Sequence, residues 1–234
     1  MTQNTSLSLV GDTKEVRWNA HEVEQVRLRK AERMRAAMIP RRFAGASLDN
    51  YEVKNAGQRG ALEAARGYAR NFEEHYAAGR CLVLSGRVGT GKTHLACAIL
   101  RDIIARPLAA ENYDYYANEA WHPVRYVTAT DIIRTIRETW NNPEVREADA
   151  IRKFTRPHLL VIDEVGRSFG SHSEKTQIEE LLDLRYQAMK PTLVCTNCDK
   201  AQIAQFLGER GFDRLCENGG ISMVFEWASH RGRG

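Results

Sequence analysis

The sequence predicts an α/β protein: a five-stranded parallel sheet flanked by helices, preceded by a short basic helical arm. Three observations predict it. Five short apolar runs alternate with helical segments, the pattern of strands joined by helical crossovers. The first run leads directly into Gly-x-x-x-x-Gly-Lys-Thr at residues 86–93, a glycine-rich loop between a strand and a helix. The third, HLLVIDEVG at 158–166, is a buried-type strand ending in two carboxylates, which need a reason to sit beside a core.

Taken in order, residues Glu15 to about Met38 hold helix formers throughout and no Gly or Pro, with Val16, Val23, Val26 and Met34 at loosely helical spacing. The apolar stripe is thin, so this helix is expected to dock, either on the body of the protein or on a partner. Pro40 ends it, and RRFAGASLDNY leads into a second helical stretch, Ala61 to Tyr76. Strand Cys81 to Leu84 and helix Thr93 to Ile104 flank the glycine loop. Residues 108–123 hold three tyrosines and a tryptophan and read as either an exposed contact loop or a helix packed on the core. Strands then follow at Val124 to Val127, Leu159 to Ile162, Thr192 to Cys195 and Ser222 to Phe225, with helices at Asp131 to Trp140, Glu174 to Met189 and Lys200 to Leu207.

The 234 residues suit one domain (45–234) with an extension (1–44), and 43% hydrophobic with 27% charged residues is a globular composition. No run approaches the roughly 18 apolar residues of a membrane span, and the first residues lack a signal-peptide pattern, so a cytoplasmic protein is expected. The five cysteines read as reduced thiols; Cys195 and Cys198 have metal-ligand spacing but no second pair to complete a zinc site. The net charge of +4 is carried by the arm, where nine Lys/Arg face five Asp/Glu, leaving 25 against 25 in the rest. Such an arm suits a partner surface or nucleic acid, or is a solvated charged helix.

The chemistry gathers around the glycine loop. With Gly86, Gly89 and Gly91, the backbone through Val88, Thr90 and His94 can wrap a polyphosphate, its N–H groups aided by the dipole of the following helix. ATP is the expected ligand. Lys92 would bridge the β- and γ-phosphates, and Thr93 would ligate Mg²⁺. About 70 residues on, Asp163 would hold Mg²⁺ through its water shell and Glu164 would polarise the attacking water. Asn197, after TLVCT, is placed to orient that water or sense the γ-phosphate, or is an ordinary turn residue.

Together, IPRRFAGASLDNY (39–51), SGRVGTGKTHLACAI (85–99), LLVIDEVG (159–166), LVCTN (193–197) and LGERGFDRLCENGG with FEWASHRGR (207–233) resemble the DnaC-type replicative helicase loaders of the AAA+ ATPases. The resemblance implies a five-stranded P-loop ATPase core that forms homo-oligomers with ATP at the subunit interfaces. It also implies binding to single-stranded DNA and delivery of a DnaB-type hexameric helicase onto it. Arg214, in FDRL, matches the arginine finger that reaches a neighbour's γ-phosphate, with Arg210 close by; Arg231, in SHR, matches the sensor arginine. Trp140 falls where the family places an aromatic facing DNA, where stacking on bases competes with core packing as its role. The arm before residue 39 is shorter than the helicase-binding domain of the longer loaders. The related IstB-type ATPases, which assist a transposase, share the catalytic core. A small-molecule kinase would need an acceptor pocket, which nothing marks, and a nucleotide-gated DNA-binding module would show little turnover.

Overall fold

The computed structural model describes residues 20–106, 123–140, 144, 146–166 and 172–230. Five strands, β1 (Leu82–Gly86), β2 (Val124–Thr128), β3 (Leu159–Val165), β4 (Thr192–Thr196) and β5 (Ile221–Phe225), form one sheet in the order β2-β3-β4-β1-β5. Every pairing is parallel, with Val83 beside Val194 and Ser222, and Val161 beside Tyr126 and Leu193. The inner strands β1, β3 and β4 are covered on both faces, which is why they read as apolar runs, whereas edge strand β5 leaves Ser222 and Val224 exposed.

The two-residue alternation of a strand divides these residues between two cores. Leu82, Leu84, Leu159, Val161, Leu193 and Cys195 face one layer, built from α1 (Ala20–Ala36), α2 (Ala56–Arg70), α3 (Phe72–Ala77) and α4 (Lys92–Ala105). Val83, Leu160, Ile162 and Val194 face the other, built from α5 (Ala129–Trp140), α6 (Glu147–Thr155), α7 (His172–Gln187) and α8 (Lys200–Cys216).

Local chemistry sets the helix ends. Asn55 with Gln58, and Asp199 with Gln202, form reciprocal capping boxes at the starts of α2 and α8. The helix expected over Ala61 to Tyr76 begins earlier, at its cap, and breaks at Asn71 into α2 and α3. The helix expected to end at Leu207 meets Gly208 at φ 70 and resumes beyond it to Cys216, so the glycine kinks the chain without stopping it. Helix α6 has no counterpart in the sequence reading. It buries only Ala150 and Phe154, too little for a periodic signal.

The arm docks on the body at its C-terminal end. Ala37 is fully buried, Met34 packs on the α2–α4 core, and the Ala37 carbonyl accepts a hydrogen bond from the Tyr126 N–H of edge strand β2 (2.8 Å). On the opposite layer, the fully buried Arg185 of α7 ties several elements together. Its guanidinium donates to Thr192 Oγ1 and to the carbonyls of Phe154, Pro157, His158 and Pro191. Burial pulls its pKa down to about 10. The connection at 108–122, Val16 and Arg231 lie outside the described residues.

Candidate nucleotide-binding site

The loop after β1 is closed by contacts from both ends of the domain. Gly86 turns at φ 118 with no room for a side chain, since a Cβ would lie 2.4 Å from the Phe225 carbonyl oxygen. That carbonyl accepts from Arg87 N–H (2.9 Å). Gly91, at φ 100 just before α4, has the Tyr51 ring where a Cβ would be, 2.7 Å away. The Thr90 carbonyl receives the Trp227 indole N–H (2.9 Å) and the Tyr51 hydroxyl (3.3 Å). Burial raises the Tyr51 pKa to about 12, so it remains a donor at neutral pH. The His230 N–H donates to the Gly89 carbonyl (2.8 Å), and the Thr90 hydroxyl donates to the Arg87 carbonyl (2.7 Å).

Lys92 is buried, and its ammonium donates to the Gly86 and Arg87 carbonyls at 2.7 and 2.6 Å. Thr93 stands beside it at the start of α4, and its hydroxyl donates to Asp163 Oδ2 (2.8 Å). The His94 ring lies 3.1 Å from the Ser47 carbonyl, joining α4 to the lead-in segment, and Val88 is exposed at the tip of the loop.

Asp163 is only 6% exposed, and both of its oxygens are engaged. Oδ2 accepts from Thr93 and from the Tyr126 hydroxyl (2.8 Å), while Oδ1 accepts from Glu164 N–H (2.8 Å). The β3–β4 register shifts between Ile162 and Val165, and Glu164 takes φ 60. Such an irregularity re-aims side chains, and positive φ at a residue other than glycine is strain that the surrounding sheet must hold. Glu164 faces a cavity of about 340 Å³ together with the glycine loop, Asp163 and the exposed Asn197 that follows β4. Arg42, Phe43, Asn50 and Tyr51 of the lead-in form its far wall.

Of the residues predicted from sequence, the structure thus brings Val88, Gly89, Thr90, Gly91, Lys92, Thr93, His94, Asp163, Glu164 and Asn197 to one cavity, while Gly86 does not line it and turns the chain from β1 into the loop. Arg214 lies apart, ion-paired with Asp183 of α7 and 5.0 Å from the Tyr186 ring centre in its own chain; Arg210 is exposed. Trp140 ends α5 and is 55% exposed, so it is no part of the core. Cys195 is buried within β4, and the cysteines are free thiols. Sequence reasoning missed Phe43, Tyr51, Trp227 and Tyr126. The first three stood in quoted motifs as aromatic residues beside polar ones, a signal that could have singled them out.

A parallel sheet of this order, with a phosphate loop after β1 and an acidic pair on β3, defines the class: an AAA+ P-loop ATPase. The family model described as IstB-like ATP binding protein matches residues 19–214, and the chain belongs to this family of ATP-binding ATPases. The protein named replicative helicase loader DnaC of Escherichia coli (strain K12) is 32% identical over 187 residues, 80% of this chain and 69% of that protein. Its namesake in Buchnera aphidicola subsp. Schizaphis graminum is 30% identical over 190 residues, 81% and 70% of the two chains. A crystal structure of the DnaC helicase loader superimposes with a TM-score of 0.66 at 25% identity, covering 80% of this chain and all of that one. The replication initiator DnaA bound to AMPPCP and single-stranded DNA shares the fold, with a TM-score of 0.59 at 18% identity over 82% of this chain and 52% of that one. Among the described residues, no helix is long and apolar enough to cross a membrane.

Proposed function

We propose that this chain loads a DnaB-type replicative helicase onto single-stranded DNA, with ATP binding and hydrolysis at subunit interfaces as the switch. The observation that carries the reading is the match to proteins named replicative helicase loader over 80% of the chain. In this reading, residues 1–44 are a partner-binding arm and 45–234 the ATPase domain.

The site's geometry supports a division of labour. Lys92 exchanges its two loop carbonyls for phosphate oxygens, a stronger acceptor for an ammonium. The hydroxyl of Thr93 and the carboxylate of Asp163, already 2.8 Å apart, are hard oxygen donors of the kind that suits Mg²⁺, which takes one or two protein ligands and completes its shell with phosphate and water. When bound, the ion would neutralise charge on the β- and γ-phosphates. Glu164, aimed into the cavity by the irregular strand end, polarises the attacking water, and Asn197 orients it. Arg214 serves the ATP of a neighbouring subunit, Arg231 the nucleotide of its own, and Trp140 offers an exposed ring for base stacking.

The experiment is a pull-down of the purified chain against the host replicative helicase, with ATP, ADP or no nucleotide, followed by ATPase assays with and without single-stranded DNA. ATP-dependent capture of the helicase is the expected result. Capture of a transposase in its place would move the chain to the IstB-type role, which the same ATPase core would serve.

A further inference from the structure

We propose that Tyr126 is a positioning residue that links the seating of the N-terminal arm to the carboxylate of Asp163. The proposal rests on the reading of Asp163 as the residue that holds Mg²⁺.

Two hydrogen bonds leave Tyr126 in opposite directions. Its backbone N–H, on the outer edge of β2, donates to the carbonyl of Ala37 at the end of the arm. An edge N–H is ordinarily left to solvent or capped. Its side chain runs inward through the core between the sheet and α4, and the hydroxyl ends 2.8 Å from Asp163 Oδ2. Phenylalanine would fill the same space. A buried hydroxyl is costly unless its hydrogen bond is made, so the oxygen of Tyr126 calls for a role beyond packing.

The identity of the accepting atom supplies that role. Asp163 Oδ2 has two donors, Thr93 and Tyr126. Thr93 is itself assigned to the metal, so its hydroxyl must serve two masters when the nucleotide enters. Tyr126 has no second duty at the site. It braces the carboxylate from within the core between the sheet and α4, while Glu164 N–H holds the other oxygen.

The arm sets where that phenol stands. Met38, which follows Ala37, turns the chain at φ 55 and is exposed, and this turn aims the Ala37 carbonyl at the β2 edge. A partner that drew the arm away would remove the carbonyl, free the edge at residue 126 and loosen the rigid ring that braces Asp163. Arm seated and arm lifted are then two states of one element, to which both the partner and the metal-nucleotide site respond.

The test measures ATP affinity of the full chain by calorimetry across a Mg²⁺ titration. Tyr126→Phe is expected to raise the Mg²⁺ concentration needed for half-maximal tightening of ATP binding by about tenfold, the value of one hydrogen bond to a charged group. Affinity without Mg²⁺ should stay at the wild-type level, which a general packing defect would not spare. An unchanged Mg²⁺ requirement, or equal losses with and without Mg²⁺, overturns the role of Tyr126. A wild-type chain whose ATP affinity ignores Mg²⁺ overturns the reading of Asp163 and the proposal with it.

The link to the arm is read from Met38→Pro, whose fixed negative φ cannot make the turn. Met38→Val, which only strains it, serves if the proline variant fails to fold by thermal melt. Either should raise the Mg²⁺ requirement several-fold in the wild type and add nothing in the Tyr126→Phe background. Additive shifts in the double variant, or no shift in the single one, overturn the link.

Discussion

The ammonium of Lys92 and the carbonyl oxygen of Gly86 lie 2.7 Å apart, so the phosphate loop is pinned by the side chain proposed to meet its ligand. In the proposed site, the chain stores its cation where the anion would arrive. Lys92→Ala should weaken ATP binding on the order of 10²-fold, the worth of one charge-assisted hydrogen bond of about 3 kcal/mol. Calorimetry with ATP checks this, and an unchanged affinity would remove Lys92 from the site.

Glu164→Gln keeps the shape of the side chain and loses its basicity. ATP should bind as in the wild type while turnover falls by about 10² to 10⁴, the range of general-base catalysis. Single-turnover hydrolysis measures the effect, and near-normal turnover would place the base elsewhere.

The glycines separate by environment. Gly86→Ala forces a methyl group within 2.4 Å of the Phe225 carbonyl at a positive φ, and should cost several kcal/mol, about 3 or more, in thermal unfolding. Gly60, inside α2, has open space around its Cβ position. Gly60→Ala should therefore stabilise the protein by about 0.5 to 1 kcal/mol. Equal effects at the two positions would contradict the packing described for β1 against β5.

Arg214→Ala tests assembly. If Arg214 leaves Asp183 to reach a neighbour's phosphate, the variant should bind ATP normally and lose hydrolysis by roughly 10³ to 10⁵. Mixing it with Lys92→Ala should restore activity, because some interfaces then combine an intact pocket with an intact finger. The expected wild-type behaviour is specific activity that climbs with protein concentration. Activity independent of concentration, with no recovery on mixing, would assign Arg214 to its ion pair alone.

Trp140→Ala should lower affinity for single-stranded DNA by about 1 to 3 kcal/mol with little change in stability, since the ring is already exposed. Fluorescence anisotropy with a labelled oligonucleotide, together with a melt, gives both values. A large loss of stability with unchanged DNA affinity would be the contrary result.

The inner strands β1, β3 and β4 were legible because residues buried on both faces form unbroken apolar runs. The edge strands β2 and β5 were legible despite Arg125 and the exposed Ser222 because their remaining residues are apolar. Helix α6 was not, since Ala150 and Phe154 are its only buried side chains. The helix was read only as far as Leu207, yet it resumes beyond Gly208, where Gly211 and Leu215 still face the core. In the site, what sits in a local motif or at a strand end was readable: the loop from Gly86 to His94, the pair Asp163 and Glu164, and Asn197 after β4. What depends on folding was not. Tyr51 reaches Thr90 across 39 residues, Tyr126 reaches Asp163 across 37, and Trp227 reaches Thr90 across 137. No local pattern announces a partner at such distances.

The last of these contacts bears on how the protein is made. A ribosome releases the glycine loop long before it makes the strand and indole that brace it. Until residues 221–230 have been synthesised, β1 lacks its neighbour β5, and the carbonyls of Gly89 and Thr90 lack His230 and Trp227. The nascent chain therefore carries the nucleotide motif without a finished pocket. On the proposed reading of the loop, tight ATP binding is then expected only of a chain translated at least through residue 230, which ties nucleotide binding to the last-made strand of the sheet.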